Sequence, residues 1–353
     1  GFITPSVPFA ERWFIDMKLK KVTAILLTAI MTVSLAACGS SSDGSSDSSG
    51  DSGEDAGAGG TYTIGICQQM EHAALDAATE GFQDACRELF GEENVEFDVQ
   101  NAQGEQNMCS TIINNFVSSD VDLILANATL PLQTAAQATS DIPILGTSVT
   151  DYGSALGIDD WTGATGVNIS GTSDLAPIEE QEDMLLELVP DAQTVGILYC
   201  SSESNSKYQA ELFEAELEAD GISYKEYTAA DSNEIQSVTQ NAVEDCDAIY
   251  IPTDNTMASN TQIINNICLP AKVPVIAGEE GICSGCGVAT LSISYYDLGY
   301  QTGEMAYKIL EEGADISTMD VETAAQVTKK YNPTICEELG ITIPEGYEAI
   351  EAE

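Results

Sequence analysis

Thr63-Ile64-Gly65-Ile66 and Thr194-Val195-Gly196-Ile197 are two versions of one apolar pattern, placed in the two halves of the chain. The stretches that follow them also correspond. DLILA at 122–126 is matched by DAIYI at 247–251, and IPILG at 142–146 is matched by VPVIA at 273–277. Short, continuous apolar runs of this kind are typical of strands buried on both faces of a parallel sheet. The repetition therefore predicts two similar halves.

Helical patterns lie between these predicted strands. In three stretches apolar residues recur every three or four positions, which gives each stretch one apolar face. The stripes are Leu75, Ala78, Phe82, Ala85 and Leu89; Ile178, Leu185, Leu186 and Val189; and Leu298, Thr302, Met305, Ile309 and Leu310. The second helix is predicted to start with Asp174 as its N-cap and Pro177 in its first turn. Strands that alternate with helices predict right-handed βαβ units, and hence an α/β protein with two doubly wound parallel-sheet lobes.

Composition limits the partners that the protein can have. From Tyr62 onward roughly 290 residues remain, which is enough for two domains with cores of their own. The chain has 11 basic and 58 acidic residues, a formal net charge of −47. Such a surface repels nucleic acid and anionic lipid headgroups, so neither is expected as a ligand.

The N-terminal segment predicts export. An apolar run at 22–35 follows Lys18, Lys20 and Lys21 and precedes Ala36-Ala37-Cys38. A cationic start, a short apolar region and small residues at the cleavage site are typical of a signal peptide, here 17–37. The run is too short for a membrane span, which needs about 20 apolar residues. Residues 1–16 are interpreted as a non-native leader or start-site artefact.

Cys38 is predicted to be lipidated. Leu35-Ala36-Ala37-Cys38 resembles a bacterial lipobox, in which the thiol is acylated with diacylglycerol and becomes the mature N-terminus. Two acyl chains give lasting membrane attachment where one does not. Residues 39–60 contain only Gly, Ser, Ala, Asp and Glu, so we interpret 38–60 as the lipidated cysteine and a disordered tether.

The remaining cysteines predict no metal centre. With Cys38 acylated, nine of the ten cysteines remain, and they cannot all pair. Cys283 and Cys286 are the only close pair, and a zinc site would need two further ligands at a similar spacing. We interpret this pair as buried structural thiols or a local disulfide, with a metal or redox role as the alternative.

The sequence also lacks the motifs of common enzymes. It has no phosphate-binding loop, no dinucleotide fingerprint and no nucleophile elbow. His72 is the only histidine, and its place before the first predicted helix favours a capping or turn role over catalysis. Glu279 and Glu280 could do acid–base work in principle, but acidic residues are abundant here. We predict no enzymatic activity and no cofactor.

Candidate binding residues follow the predicted strands. Ligands of doubly wound sheets bind at the carboxyl ends of the strands. The polar residues at those ends are Gln69, Asn127, Thr129, Ser148, Thr150 and Asp151 in the first half, and Ser202, Asp254, Asn255 and Glu279 in the second. Hydroxyl groups suit a carboxylate and acidic groups suit an ammonium, so a small zwitterion is predicted. The same residue types also favour turns and helix caps, which is the alternative interpretation.

These stretches resemble a known family in order and spacing. The residues that carry the resemblance are 68–76, 128–129, 149–151, 171–174, 201–206, 254–256 and 289–290. The family is the ABC transporter substrate-binding lipoproteins of the tryptophan/tyrosine-binding (TrpX-like) type. The resemblance implies a periplasmic binding protein-like I fold whose lobes are joined by a three-crossover hinge. Lobe 1 would be 61–169 plus 290–323, and lobe 2 would be 172–288 plus 325–353.

The resemblance also implies residue roles. Thr129, Ser148 and Thr150 would bind the carboxylate of an amino acid, and Asp254 would bind its ammonium, with help from Asn205, Asn255 or Glu279. Gln69 would lie near the side-chain pocket. Asn127, Asp151, Ser173, Ser202 and Ser206 complete the predicted ligand-binding set. The chain departs from the family pattern at Ala73, where proline often follows the histidine, and at Cys286, where glycine is usual.

The implied function is capture of a small ligand for import. The protein would be a monomer, lipid-anchored to the outer face of the cell membrane of a Gram-positive bacterium. It would close its lobes around a ligand, with an aromatic amino acid as the leading candidate, and dock on an ABC permease and its ATPase. The alternatives are a ligand sensor of the same fold, a binder of branched-chain amino acids or nucleosides, and a hydrolase or transferase.

Overall fold

The computed structural model describes residues 61–351, which form two β-sheets covered by helices. The first sheet contains β1 (Tyr62–Gln68), β2 (Val95–Asn101), β3 (Leu123–Asn127), β4 (Ile144–Val149), β5 (Ile169–Ser173) and β11 (Glu322–Thr323). The second contains β6 (Thr194–Cys200), β7 (Ser223–Ala229), β8 (Ala248–Ile251), β9 (Val275–Ala277), β10 (Ala289–Ser292), β12 (Thr328–Tyr331) and β13 (Glu348–Ala349). The predicted leader, signal peptide, lipidated Cys38 and tether lie outside the described residues.

The two sheets repeat one another, as the paired sequence stretches predict. The first has the strand order β11-β5-β4-β3-β1-β2, and the second has β13-β12-β10-β9-β8-β6-β7. Each opening strand pairs on one side with the next strand in the chain and on the other with the strand after it. The strands pair in parallel, except that β10 and β12 are antiparallel. The predicted fold class is confirmed.

Helices cover both sheets. With the first sheet lie α1 (Ala73–Phe90), α2 (Gln106–Ser118), α3 (Thr129–Ala138), α4 (Tyr152–Leu156) and α11 (Tyr295–Leu310). With the second lie α5 (Ile178–Leu188), α6 (Ser204–Asp220), α7 (Ile235–Asp245), α8 (Asn255–Ala258), α9 (Thr261–Ala271), α10 (Glu280–Cys286) and α12 (Pro333–Leu339). Short 3-10 turns occur at Glu92–Asn94 and Ile316–Thr318. We refer to each sheet with its helices as the first and the second lobe.

The three predicted helices are confirmed as α1, α5 and α11, and one predicted cap is wrong. Helix α5 begins at Ile178 with Pro177 in the N-cap position, so Asp174 lies outside the helix. Asp174 is buried, and its carboxylate accepts a hydrogen bond from the hydroxyl of Tyr295 instead. A tertiary contact therefore replaces the local capping that the sequence suggests.

The chain crosses between the sheets at three places, after β5, after β10 and between β11 and β12. The first two crossings lie later than the predicted lobe boundaries. Strand β5 stays in the first sheet as far as Ser173, and β10 stays in the second as far as Ser292. Pairing of β5 with β4 and of β10 with β9 carries each strand beyond the boundary that the resemblance implied.

Helix α11 belongs to the first lobe because it packs directly on α1. A Cβ at Gly81 would collide with the backbone oxygen of Tyr296, and a Cβ at Gly299 would collide with that of Ala78. Glycine at both positions lets the two helix backbones approach within contact distance. This packing returns the chain to the first lobe after the second crossing.

The cysteines of the described residues are buried free thiols. All nine from Cys67 to Cys336 are unpaired, including Cys283 and Cys286 on α10. Both thiols of that pair are buried and no disulfide joins them. Within residues 61–351 no group of three or more metal-ligating side chains is arranged to hold a metal ion, and none of the helices is long and apolar enough to cross a membrane.

Glu182 on α5 is a buried carboxylate without a cationic partner. Its side chain is 3% exposed, and its Oε1 atom has no hydrogen-bond partner. Burial, reinforced by the charges of Asp220, Asp183 and Glu216, raises its pKa from 4.5 to about 7. Ionisation of this group therefore opposes folding.

Replacing Glu182 by glutamine should stabilise the protein above about pH 4.5 and not below it. The folded protein holds the Glu182 proton more tightly than the unfolded chain does. The contribution of the protonated carboxyl group to the free energy of unfolding is therefore fully present below about pH 4.5 and is lost as the pH rises through about 7. We expect Glu182→Gln to raise the free energy of unfolding by about 1 kcal/mol at pH 8, and to have little effect below pH 4.5. Denaturant titrations across this pH range test it, with the exposed neighbour Glu180→Gln as control. An equal effect of Glu182→Gln at both ends of the range would contradict the assignment.

Candidate functional site

The strand ends of the two sheets face a small cavity between the lobes. Its walls are His72, Ala74, Leu75, Ser148, Thr150, Asp174, Asn205, Thr253, Asp254, Asn255, Ala258, Glu279 and Tyr295. The space inside is about 10 Å³, which corresponds to roughly one water molecule. Side chains from both lobes and from two of the crossings therefore meet at one point.

The first-lobe wall contains strained backbone next to unpartnered polar groups. Ser148 at the end of β4 has φ of 55°, and Ala128 after β3 has φ of 99°. Both values lie where L-residues other than glycine are uncommon, and such strain concentrates at functional sites. The Oγ atom of Ser148 is buried without a hydrogen-bond partner. Thr150, two residues further on, is also buried at the cavity.

Asp174 supplies an incompletely satisfied carboxylate. Its side chain is 3% exposed, Oδ2 accepts a 2.8 Å hydrogen bond from Tyr295, and Oδ1 has no partner. Burial raises the pKa of this carboxyl group, and the hydrogen bond from the Tyr295 hydroxyl offsets only part of that shift. A buried acceptor of this kind needs a donor, and a cationic donor satisfies it best.

Glu203 organises the second-lobe wall. Its carboxylate accepts hydrogen bonds from the backbone N–H and side-chain amide of Asn255, at 3.1 and 2.8 Å, and from the backbone N–H and hydroxyl of Thr256, at 2.8 and 2.7 Å. The amide of Asn205 donates to it at 3.3 Å. One buried carboxylate thus fixes the start of α6 against the start of α8.

Two further buried acids of the second lobe, Asp254 and Glu279, cap the starts of helices. Asp254 accepts from the backbone N–H of Met257 at 2.8 Å through Oδ1 and from that of Cys200 at 2.7 Å through Oδ2. Burial, together with the nearby charge of Glu203, raises the pKa of Asp254. Glu279 accepts from the N–H groups of Gly281 and Ile282. Burial raises its pKa as well.

Six of the predicted residues line the cavity and the others lie around it. The six are Ser148, Thr150, Asn205, Asp254, Asn255 and Glu279. Five others are buried near the cavity but do not line it, namely Gln69, Asn127, Thr129, Ser173 and Ser206. Asp151 caps α4, and Ser202 is exposed. Asn127 donates to Leu75 and Thr79, and Ser173 donates to the carbonyl of Thr150. These hydrogen bonds hold the first-lobe wall in place.

Four polar cavity residues were not predicted as binding residues: His72, Asp174, Thr253 and Tyr295. Asp174 directly follows β5, so the strand-end rule could have found it, had the residue not been assigned to a helix cap. Tyr295 begins a helix after a crossing and follows no strand of its own lobe. His72 occupies the N-cap position of α1 without a capping hydrogen bond, and its ring reaches Asn255 in the second lobe. No local signal in the sequence indicates these last two placements.

A family model for ABC transporter substrate binding proteins matches residues 63–351. The chain belongs to this family. Its members act outside the cytoplasm, bind small molecules for ABC transporters and are in general not enzymes. A tyrosine-binding protein of Clostridioides difficile (strain R20291) is 34% identical over 309 residues, which cover 87% of this chain and 88% of that protein.

Two solved structures are similar to the protein over most of its length. An ABC domain from Streptococcus pneumonia in complex with L-Trp has 32% identity and a TM-score of 0.78, covering 82% of this chain and 100% of that one. The ligand-free, open structure of a substrate binding protein with adhesive properties from Clostridium difficile has 37% identity and a TM-score of 0.64, covering 83% of this chain and 100% of that one. The L-Trp complex has the higher TM-score of the two, and the open structure has the higher identity.

Asp254 and Asp174 should respond differently to the same substitution. Each carboxylate oxygen of Asp254 accepts a backbone N–H, and Asp254→Asn replaces one of these oxygens with an N–H₂ group. One buried N–H is then left unsatisfied, which should lower the free energy of unfolding by about 1–3 kcal/mol. Asp174→Asn keeps the acceptor for Tyr295 and changes an atom that has no partner, so we expect a smaller loss. Urea unfolding of both variants without ligand measures the difference. Equal losses would show that Asp174 is as much a structural residue as Asp254.

Proposed function

We propose that the protein captures an aromatic L-amino acid, tryptophan or tyrosine, between its lobes and delivers it to an ABC importer. The observation that carries the proposal is that one cavity contains two unsatisfied polar atoms, Asp174 Oδ1 and Ser148 Oγ. Both atoms are buried, both lack a partner, and both residues line one cavity. The names of the Clostridioides difficile relative and of the L-Trp complex support the aromatic class.

The two ends of a zwitterion suit different parts of the cavity. The ammonium would bind Asp174, because that carboxylate retains an unpartnered oxygen. The carboxylate would bind the hydroxyl groups of Ser148 and Thr150 at the end of β4, on the first-lobe wall. We assign a supporting role to Asp254, the acid that the family resemblance implies for the ammonium, since both of its oxygens already accept backbone N–H groups.

Ligand entry requires the lobes to separate. The space in the present arrangement fits about one water molecule, far less than an amino acid needs. Binding would therefore start in an open arrangement and end with closure, and the ligand stabilises closure by its greater affinity for the closed state. We further propose that the mature protein is a lipoprotein monomer, anchored through Cys38 to the outer face of a Gram-positive cell membrane and docking on its permease.

Calorimetry with a ligand panel tests the proposed ligand. L-Tryptophan, L-tyrosine, L-phenylalanine, L-leucine and adenosine are titrated separately, and thermal unfolding is recorded with each. We expect heat of binding with tryptophan or tyrosine, and about 2.7 kcal/mol of added stability at 100 times the dissociation constant. Binding of leucine or adenosine alone would replace the aromatic class with one of the alternatives.

Asp174→Asn should weaken binding far more than a neighbouring substitution. Loss of a desolvated charge partner for the ammonium should cost about 2–5 kcal/mol of binding free energy. Asp151→Asn is the matched control, because Asp151 caps α4 nearby without lining the cavity and asparagine also caps helices well. Unchanged affinity in Asp174→Asn would remove this residue from the site.

A further inference from the structure

His72 connects the two lobes across the cavity. It precedes α1 in the first lobe, and its Nε2 atom lies 3.0 Å from Oδ1 of Asn255, the first residue of α8 in the second lobe. The contact is partly buried. Two other contacts across the lobes, between Ser259 and Met70 and between Gln133 and Ser204, lie at exposed positions.

The hydrogen-bond network settles which atom donates. The amide N–H₂ of Asn255 points to Glu203, 2.8 Å away, and the backbone N–H of Asn255 reaches the same carboxylate oxygen at 3.1 Å. The side-chain oxygen of Asn255 is therefore turned toward the first lobe. Since that oxygen is an acceptor only, Nε2 of His72 carries the proton and donates it.

We propose that His72 is a positioning residue that holds the lobes closed, through a latch made of His72, Asn255 and Glu203. The latch requires contact between the lobes, so it forms on closure and breaks on opening. Glu203 already fixes the orientation of the Asn255 side chain before the lobes close. Closure therefore has to order only the His72 side chain. The latch therefore slows the release of a captured ligand more than it affects its capture.

The choice of substitutions separates the latch from a direct contact with ligand. His72→Leu removes the donor, and His72→Gln replaces it with an amide donor of similar reach. Asn255→Ala removes the acceptor from the other side. Glu71→Gln, an exposed position in the same loop, is the control. If the pair acts as a latch, the double variant His72→Leu with Asn255→Ala is no worse than either single variant.

Stopped-flow measurement of L-tryptophan or L-tyrosine release tests the proposal. We expect His72→Leu and Asn255→Ala each to release ligand roughly three- to tenfold faster, because each variant loses one hydrogen bond. Association rates should change little. His72→Gln should recover most of the loss, and Glu71→Gln should match the wild type. Unchanged release in His72→Leu, no recovery in His72→Gln, or additive effects in the double variant would overturn the latch.

A measurement without ligand keeps this test distinct from that of the proposed function. If neither amino acid binds the wild type, the proposed ligand is wrong, and small-angle X-ray scattering of the free proteins decides on the latch. A larger radius of gyration for His72→Leu than for the wild type and His72→Gln supports it, and identical radii reject it. Thermal unfolding of each variant confirms that the lobes themselves remain folded.

Discussion

The hydrogen bond from the Tyr295 hydroxyl to the Asp174 carboxylate joins the first crossing of the chain to the second. Both residues line the cavity, and both are buried. Asp174 comes directly after the last residue of β5, and Tyr295 is the first residue of α11, which packs against α1 through close backbone contacts at Gly81 and Gly299. One contact therefore ties the hinge to the first-lobe core and leaves the second carboxylate oxygen available to the cavity.

The protein holds four buried carboxylates around one cavity, and it satisfies them by different means. Asp254 and Glu279 accept backbone N–H groups at helix starts, and Glu203 accepts mostly from amide and hydroxyl side chains. With 11 basic residues against 58 acidic ones, side-chain cations are scarce, so fixed dipoles take their place. Asp174 differs because one of its oxygens is left without a donor. Its surroundings suit a cationic group that comes from outside the chain.

The sequence predicted the repeated sheets well, because each buried strand is a continuous apolar run and the second half repeats the first. It also directed attention to the strand ends, where Ser148, Thr150 and Asp254 line the cavity. It failed where a residue's role depends on a distant partner. Asp174 looks like a helix cap in its local sequence, but its partner lies 121 residues away. His72 and Asn255 are separated by 183 residues and meet only when the lobes do.

The distribution of charge links ligand chemistry to closure. Closing the lobes brings Asp174 toward a second-lobe wall that carries Asp254 and Glu279, with Glu203 buried behind Asn255, in a space from which water is largely excluded. Like charges repel more strongly in such surroundings than in water, so each ionised carboxylate at the cavity adds to the cost of closing the lobes. Burial already shifts the pKa values of Asp174, Asp254 and Glu279 upward, toward the neutral forms. An ammonium group at Asp174 would supply the missing positive charge, and the closed state would then favour a zwitterion over a neutral molecule of the same size.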